Sequence, residues 1–271
     1  MDYLVSRRLA LDLSKQGKRA EALTSLIASA EEEVTDFQKS DALEQAAECA
    51  RSLGEFDSAF ELAERIPIES VAQTVRMQNL LALRKSNQLI EQFAGENIDA
   101  WPFWTAGEAL FARGRAYVST GDGKAAEADL QAALPLISDS RTWLKILRTI
   151  ADNRETNLND EDAALETYLQ VAAATRNNGS ADYFSGVQGA ARILTRRGEF
   201  DEAIAILRRV DVDHLRGYWR GSMLLALGET LTAAGRTDEA IAVLRAVITD
   251  DSTQANHRQA AKQRIEAIEA K

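Results

Sequence analysis

Five glycines in this chain are each followed, five residues later, by an alanine: Gly17 by Ala22, Gly54 by Ala59, Gly121 by Ala126, Gly198 by Ala203 and Gly235 by Ala240. Each glycine closes a stretch whose apolar residues recur with the helical period. There it supplies a left-handed backbone conformation that costs a residue with a β-carbon about 1 kcal/mol or more. The alanine is small because two successive helices approach closely, and a larger side chain would overpack them at about 1–3 kcal/mol. Residues 108–137 show the whole unit. Leu110, Gly114 and Tyr117 share one face of a first helix, and Ala126, Leu130, Ala133, Leu134 and Ile137 share a face of the second. A helical hairpin of this size cannot bury both faces alone, so it needs copies of itself as neighbours.

The hinge glycines are spaced by roughly 37, 67, 77 and 37 residues. The long gaps are close to twice the short ones, which predicts in each a repeat without its glycine. In the first gap, SVAQTVRMQNLLALRK pairs with NQLIEQF through a turn near Asn87. In the second, TWLKILRTIADNRE pairs with DEDAALETYLQVAAA across the loop at 157–159. The expected fold is all-α, about seven hairpins in one continuous body spanning 1–271. A final helix at about 253–270, polar on most faces, covers the exposed last repeat.

Composition narrows the function classes. Strand-like alternation is nearly absent and the chain holds only three prolines. The formal charge of −10 disfavours nucleic acid. One cysteine, Cys49, excludes an internal disulfide and suits a reducing compartment, with a packed rather than reactive thiol. No apolar run approaches membrane-spanning length, and the first residues lack the pattern of a secretory leader. A soluble, cytoplasmic protein is expected.

No constellation for chemistry stands out. The string TGDGKAAE, residues 120–127, echoes a phosphate-binding loop, but alanine follows Lys124 and no strand precedes it, so nucleotide binding is not expected. The two histidines, His214 and His257, lack metal-ligand spacing, and the carboxylate runs occupy helix ends and loops. No catalytic residue, metal or cofactor is predicted. Asn178, Gly179 and Ser180 spell a glycosylation acceptor but read more simply as a loop between repeats. The cluster Trp101, Pro102, Phe103 and Trp104 reads in two ways, as filling beside a short preceding helix or as an exposed anchor for a partner.

Two units carry a family pattern in order: Leu110, Gly114, Tyr117, Gly121, Ala126, Leu130 and Ala133, then Leu224, Leu227, Gly228, Leu231, Gly235, Ala240 and Leu244. With a period near 34 residues, this resembles the tetratricopeptide repeat. The family's frequent closing proline is missing, and several units run about three residues long. The resemblance implies a right-handed α-solenoid whose first helices line a concave, partner-binding wall. On it would lie the rows Arg7, Glu44, Phe111, Gln188, Leu225 and Leu11, Glu48, Arg115, Arg192, Glu229. Phe111, Arg115, Gln188 and Arg192 would form the groove, with Trp101 and Trp104 as further contacts. A chaperone-gripping subclass carries lysines and asparagines where this chain has Phe111, Arg115, Glu44 and Glu48, so that clamp is not expected. Glu44, Glu48 and Glu229 also argue against RNA reading. The implied function is a non-catalytic scaffold or adaptor for a peptide or partner helix. The alternative is a self-associating module, a homodimer through terminal hairpins or the Trp101–Trp104 cluster.

Overall fold

The computed structural model describes residues 3–32, 34–174 and 180–270. The glycosylation-like triplet therefore lies largely outside the described residues. Only Ser180 is described, and its hydroxyl caps a helix by accepting from the Tyr183 amide at 3.2 Å.

Helices alone make up the regular structure of the described residues. The chain divides into two compact units, Met1–Ser140 and Arg141–Lys271. The first holds four hairpins: α1 (Tyr3–Lys15) with α2 (Arg19–Ala30), α3 (Asp36–Leu53) with α4 (Phe56–Glu64), α5 (Glu69–Ala82) with α6 (Ser86–Phe93), and α7 (Phe103–Thr120) with α8 (Gly123–Ala133). The second holds α9 (Ser140–Thr156) with α10 (Glu161–Ala174), α11 (Ala181–Arg196) with α12 (Phe200–Arg208), and α13 (Gly217–Ala233) with α14 (Thr237–Thr249). It ends in α15 (Ala255–Glu269). The seven expected hairpins and the closing helix are all present.

The hinges behave as the sequence requires. Gly17, Gly54, Gly121, Gly198 and Gly235 all have positive φ, between +73° and +86°, and an added β-carbon at any of them would meet nothing within 4 Å. Glycine is therefore needed there for its backbone freedom and not for space. The partner alanines Ala22, Ala59, Ala126, Ala203 and Ala240 are completely buried. In the two long gaps, Arg84 (φ +58°) and Asn159 (φ +53°) take the hinge role. Five residues beyond them sit Leu89 and Ala164, equally buried. The first of these turns falls earlier than Asn87, which lies in the first turn of α6. The resemblance to a phosphate loop is resolved likewise: Gly121 is a hinge, and Asp122 caps α8 through the Ala125 amide at 3.1 Å.

Glycines inside helices serve a different end. A β-carbon on Gly114 would lie 2.9 Å from the Leu130 side chain, and one on Gly228 would lie 2.7 Å from Leu244. These positions set how closely the two helices of a hairpin approach. At the chain's last turn of packing, Gly221 of α13 admits the ring of His257 on α15, while Ala261 and Ile265 seal the same seam. Cys49 is buried, 3.8 Å from the Ser14 hydroxyl. Among the described residues no helix is long and apolar enough to cross a membrane.

Candidate functional site

Helices α11, α13 and α15 of the second unit enclose an open cleft of about 410 Å³. Gln188, Arg192 and Thr195 reach it from one stripe of α11, at i, i+4 and i+7. Ser222, Leu225 and Glu229 reach it from a stripe of α13 at i, i+3 and i+7, and Arg264 closes the side toward α15. Four residues placed by the sequence on the inner wall, Gln188, Leu225, Arg192 and Glu229, thus meet in a single cleft. Arg196, Arg264 and Ser222 were not foreseen. Their signal was present as polar residues on the same helical stripes or on the polar closing helix.

Hydrogen bonds fix the cleft's floor. Gln188 Nε2 donates to Ser222 Oγ at 2.7 Å, and the hydroxyls of Thr195 and Thr230 lie 3.2 Å apart. Beneath them Glu155 of α9 receives Arg192 Nε at 3.1 Å and Arg196 at 2.9 Å, with its own side chain 7% exposed. Burial alone would raise the Glu155 pKa. The two guanidinium groups and the Tyr168 hydroxyl outweigh it and hold this carboxylate below its usual range. The same bonding to Glu155 raises the Arg192 pKa. Arg264 pairs with Glu229. Arg192 spends two of its five N–H groups on Glu155. Its remaining N–H groups, on a side chain 53% exposed, are of the kind that donates to an anion or a carbonyl.

The other sequence-assigned residues belong to the first unit. Phe111 is buried, 8% exposed, and the Arg115 guanidinium lies over its ring at 5.6 Å. Phe111 therefore supports Arg115 and offers little surface of its own. Helix α7 is packed by α5, α6 and α8, which leaves it only a narrow open stripe. Exposed Arg115 borders a shallow recess with Arg84, Asn87 and Ser119. Arg7 is paired with Asp41 at 2.7 Å, while Leu11 and Glu48 are exposed. Trp101 is half-buried. Trp104 is 51% and Phe103 69% exposed, edge to face with ring centroids 5.5 Å apart.

A family model described as "Tetratricopeptide repeat" matches residues 189–256, the segment that supplies most of this cleft. No curated protein matches the chain in sequence. Among solved structures, the apo form of RapI aligns with a TM-score of 0.72 at 12% identity, covering 96% of this chain and 80% of that one. A tetratricopeptide repeat protein from Parabacteroides merdae aligns at 0.51 and 14% identity, over 98% of each chain. The assembly chaperone of RpL4 (Acl4) aligns at 0.53 and 14%, over 100% of this chain and 99% of its own. At these identities the likeness is one of fold.

Proposed function

We propose that this chain, a helical-repeat protein with tetratricopeptide sequence at 189–256, is a non-catalytic scaffold that holds an extended segment or helix of a partner protein. The repeat fold suggests protein–protein interaction, and the family is generally non-catalytic. The observation that carries the reading is the cleft of α11, α13 and α15. Its half-apolar lining and charged rim suit a peptide held by apolar contact and set in register by ionic contacts. In the first unit the Arg115 guanidinium, steadied over the Phe111 ring, is a basic surface in its own right. A single cysteine, which allows no internal disulfide, supports placing this scaffold in a reducing compartment such as the cytoplasm.

The test is a peptide library selected against the wild-type protein. The enriched peptides should carry acidic residues and lose tenfold or more in affinity, about 1.4 kcal/mol, to Arg192→Gln by calorimetry. Peptides that bind both proteins equally remove the cleft from the account.

One observation favours self-association as a second reading. Leu4, Val5, Leu9 and Leu11 of α1 are between 39% and 66% exposed, an apolar surface on the α1–α2 hairpin. A second copy covering it gives a mass in sedimentation that rises with concentration and falls to the monomer in Leu4→Ser/Leu9→Ser. A monomer at all concentrations disposes of this reading.

A further inference from the structure

In the first unit, α3, α5 and α7 enclose a small notch of about 90 Å³, far from the few hundred Å³ of a metabolite pocket and near the size of one side chain. Its rim is aromatic. Phe37, 61% exposed, comes from the first turn of α3, which a Thr35–Gln38 capping box holds in place. Trp104, 51% exposed, comes from the first turn of α7. Its inner wall is anionic, with Asp41 and Glu44 of α3 and Glu108 of α7. Ile68 at the entry to α5 and Val71 and Thr74 within it complete the lining, none of them charged.

The carboxylates are not equivalent. Asp41 accepts from Arg7 Nε at 2.7 Å, from Gln45 Nε2 at 2.8 Å and from the Tyr3 hydroxyl. Glu44 has no hydrogen bond or ion pair among the described residues. Arg51, two turns further along α3, spends its guanidinium on Asn79 at 2.8 Å and Gln78 at 2.9 Å. A half-buried carboxylate with no hydrogen-bonded counter-charge is costly, and a cation brought into contact with it recovers part of that cost. The aromatic faces at the mouth attract the same charge and shelter an aliphatic stem. Among the described residues no group of three or more His, Cys, Asp and Glu side chains could hold a metal ion, so a bare cation lacks its ligands here.

We infer that the notch is a docking site for a single lysine or arginine side chain of a partner protein, its cationic head against Glu44 and its stem against Phe37 and Trp104. An acidic side chain is repelled, and a neutral apolar one leaves Glu44 without a partner. The site is independent of the second unit's cleft, whose arginines select the opposite charge.

The test uses capped tripeptides Gly-X-Gly with X as lysine, arginine, norleucine or glutamate, titrated against the full chain. The readout is the Trp104 indole N–H resonance, assigned by its loss in Trp104→Phe. The lysine and arginine peptides shift it saturably, norleucine binds at least tenfold more weakly, and glutamate leaves it unmoved. Glu44→Gln, which keeps size and shape, weakens the cationic peptides at least tenfold. Burial, with Asp41, Glu108 and Glu48 outweighing Arg51, pushes the Glu44 pKa up to about 7. Affinity for the lysine peptide therefore rises between pH 6 and pH 8 in the wild type and stays flat in Glu44→Gln. Arg192→Gln returns the wild-type affinity, which separates this site from the cleft. No saturable Trp104 shift, equal binding of norleucine, or undiminished binding by Glu44→Gln overturns the inference.

Discussion

Asp129→Ala is expected to destabilise the first unit by about 3–5 kcal/mol, the largest loss from any single change considered for this chain. Asp129 of α8 and Arg113 of α7 face each other bidentately, Nε to Oδ2 at 2.7 Å and the terminal nitrogen to Oδ1 at 2.9 Å. Their side chains are only 10% and 11% exposed. The remaining terminal nitrogen of Arg113 donates to the carbonyls of Phe93 at 3.0 Å and Glu96 at 2.9 Å. One guanidinium thus ties α7 to α8 and to the chain leaving α6. The bond to Asp129 and that carboxylate's charge, working against burial, hold Arg113 charged. Removing the carboxylate leaves a buried cation with neutral acceptors only. Asp129→Asn should fall between wild type and alanine, since its amide keeps one acceptor but turns a donor toward the guanidinium. Urea unfolding followed by circular dichroism measures both. A loss under about 1 kcal/mol for the alanine variant contradicts the assignment.

The second large effect has the opposite sign. Glu44→Gln should stabilise the protein by about 1–3 kcal/mol at pH 8 and by almost nothing at pH 4. The Glu44 pKa stands at about 7 in the folded chain against an ordinary 4.5, chiefly through burial and then through Asp41 and Glu108. Between those two values the unfolded chain has released its proton while the folded one keeps it. Wild-type stability therefore declines as pH rises from about 4.5 to 7 and carries the full cost above that window. Glutamine has no proton to lose, so its contribution is flat. Melting temperatures of the two proteins across pH 4 to 8 should diverge with rising pH, and parallel curves would refute the account. A stability gain together with lost cation binding would mark Glu44 as kept for recognition at the expense of the fold.

The architecture was legible because it is repeated. A glycine and an alanine five residues apart mean little once, but five such pairs fix the hinge, the close contact and the period together. The two hairpins without glycine followed from the interval and from the paired helical stretches within each gap. The turn of the first was expected near Asn87, whereas the chain turns at Arg84, a residue type with no preference for left-handed backbone. The site was legible in part. Gln188, Arg192, Leu225 and Glu229 met as their helical phases demanded, since adjacent first helices hold register along their length. Phe111 was given to the open wall but is covered by Arg115 one turn on, a matter of side-chain reach that periodicity does not encode. The Arg113–Asp129 pair and the notch at Glu44 passed unnoticed. Each depends on which charged residue of a mostly solvated set is rotated into a seam between helices, and composition and spacing are silent on that.

The two classes of glycine carry a consequence for chirality. At Gly17, Gly54, Gly121, Gly198 and Gly235 there is room for a methyl group and only its handedness offends. A D-alanine introduced there by chemical ligation would sit in its own favoured region and restrict the unfolded chain as well. At Gly114 and Gly228 the helix is right-handed, so handedness is no obstacle to an ordinary alanine, and what its methyl meets is Leu130 or Leu244. Identical letters in the sequence thus mark places where the mirror image is welcome and places where a natural methyl group is shut out by its neighbour.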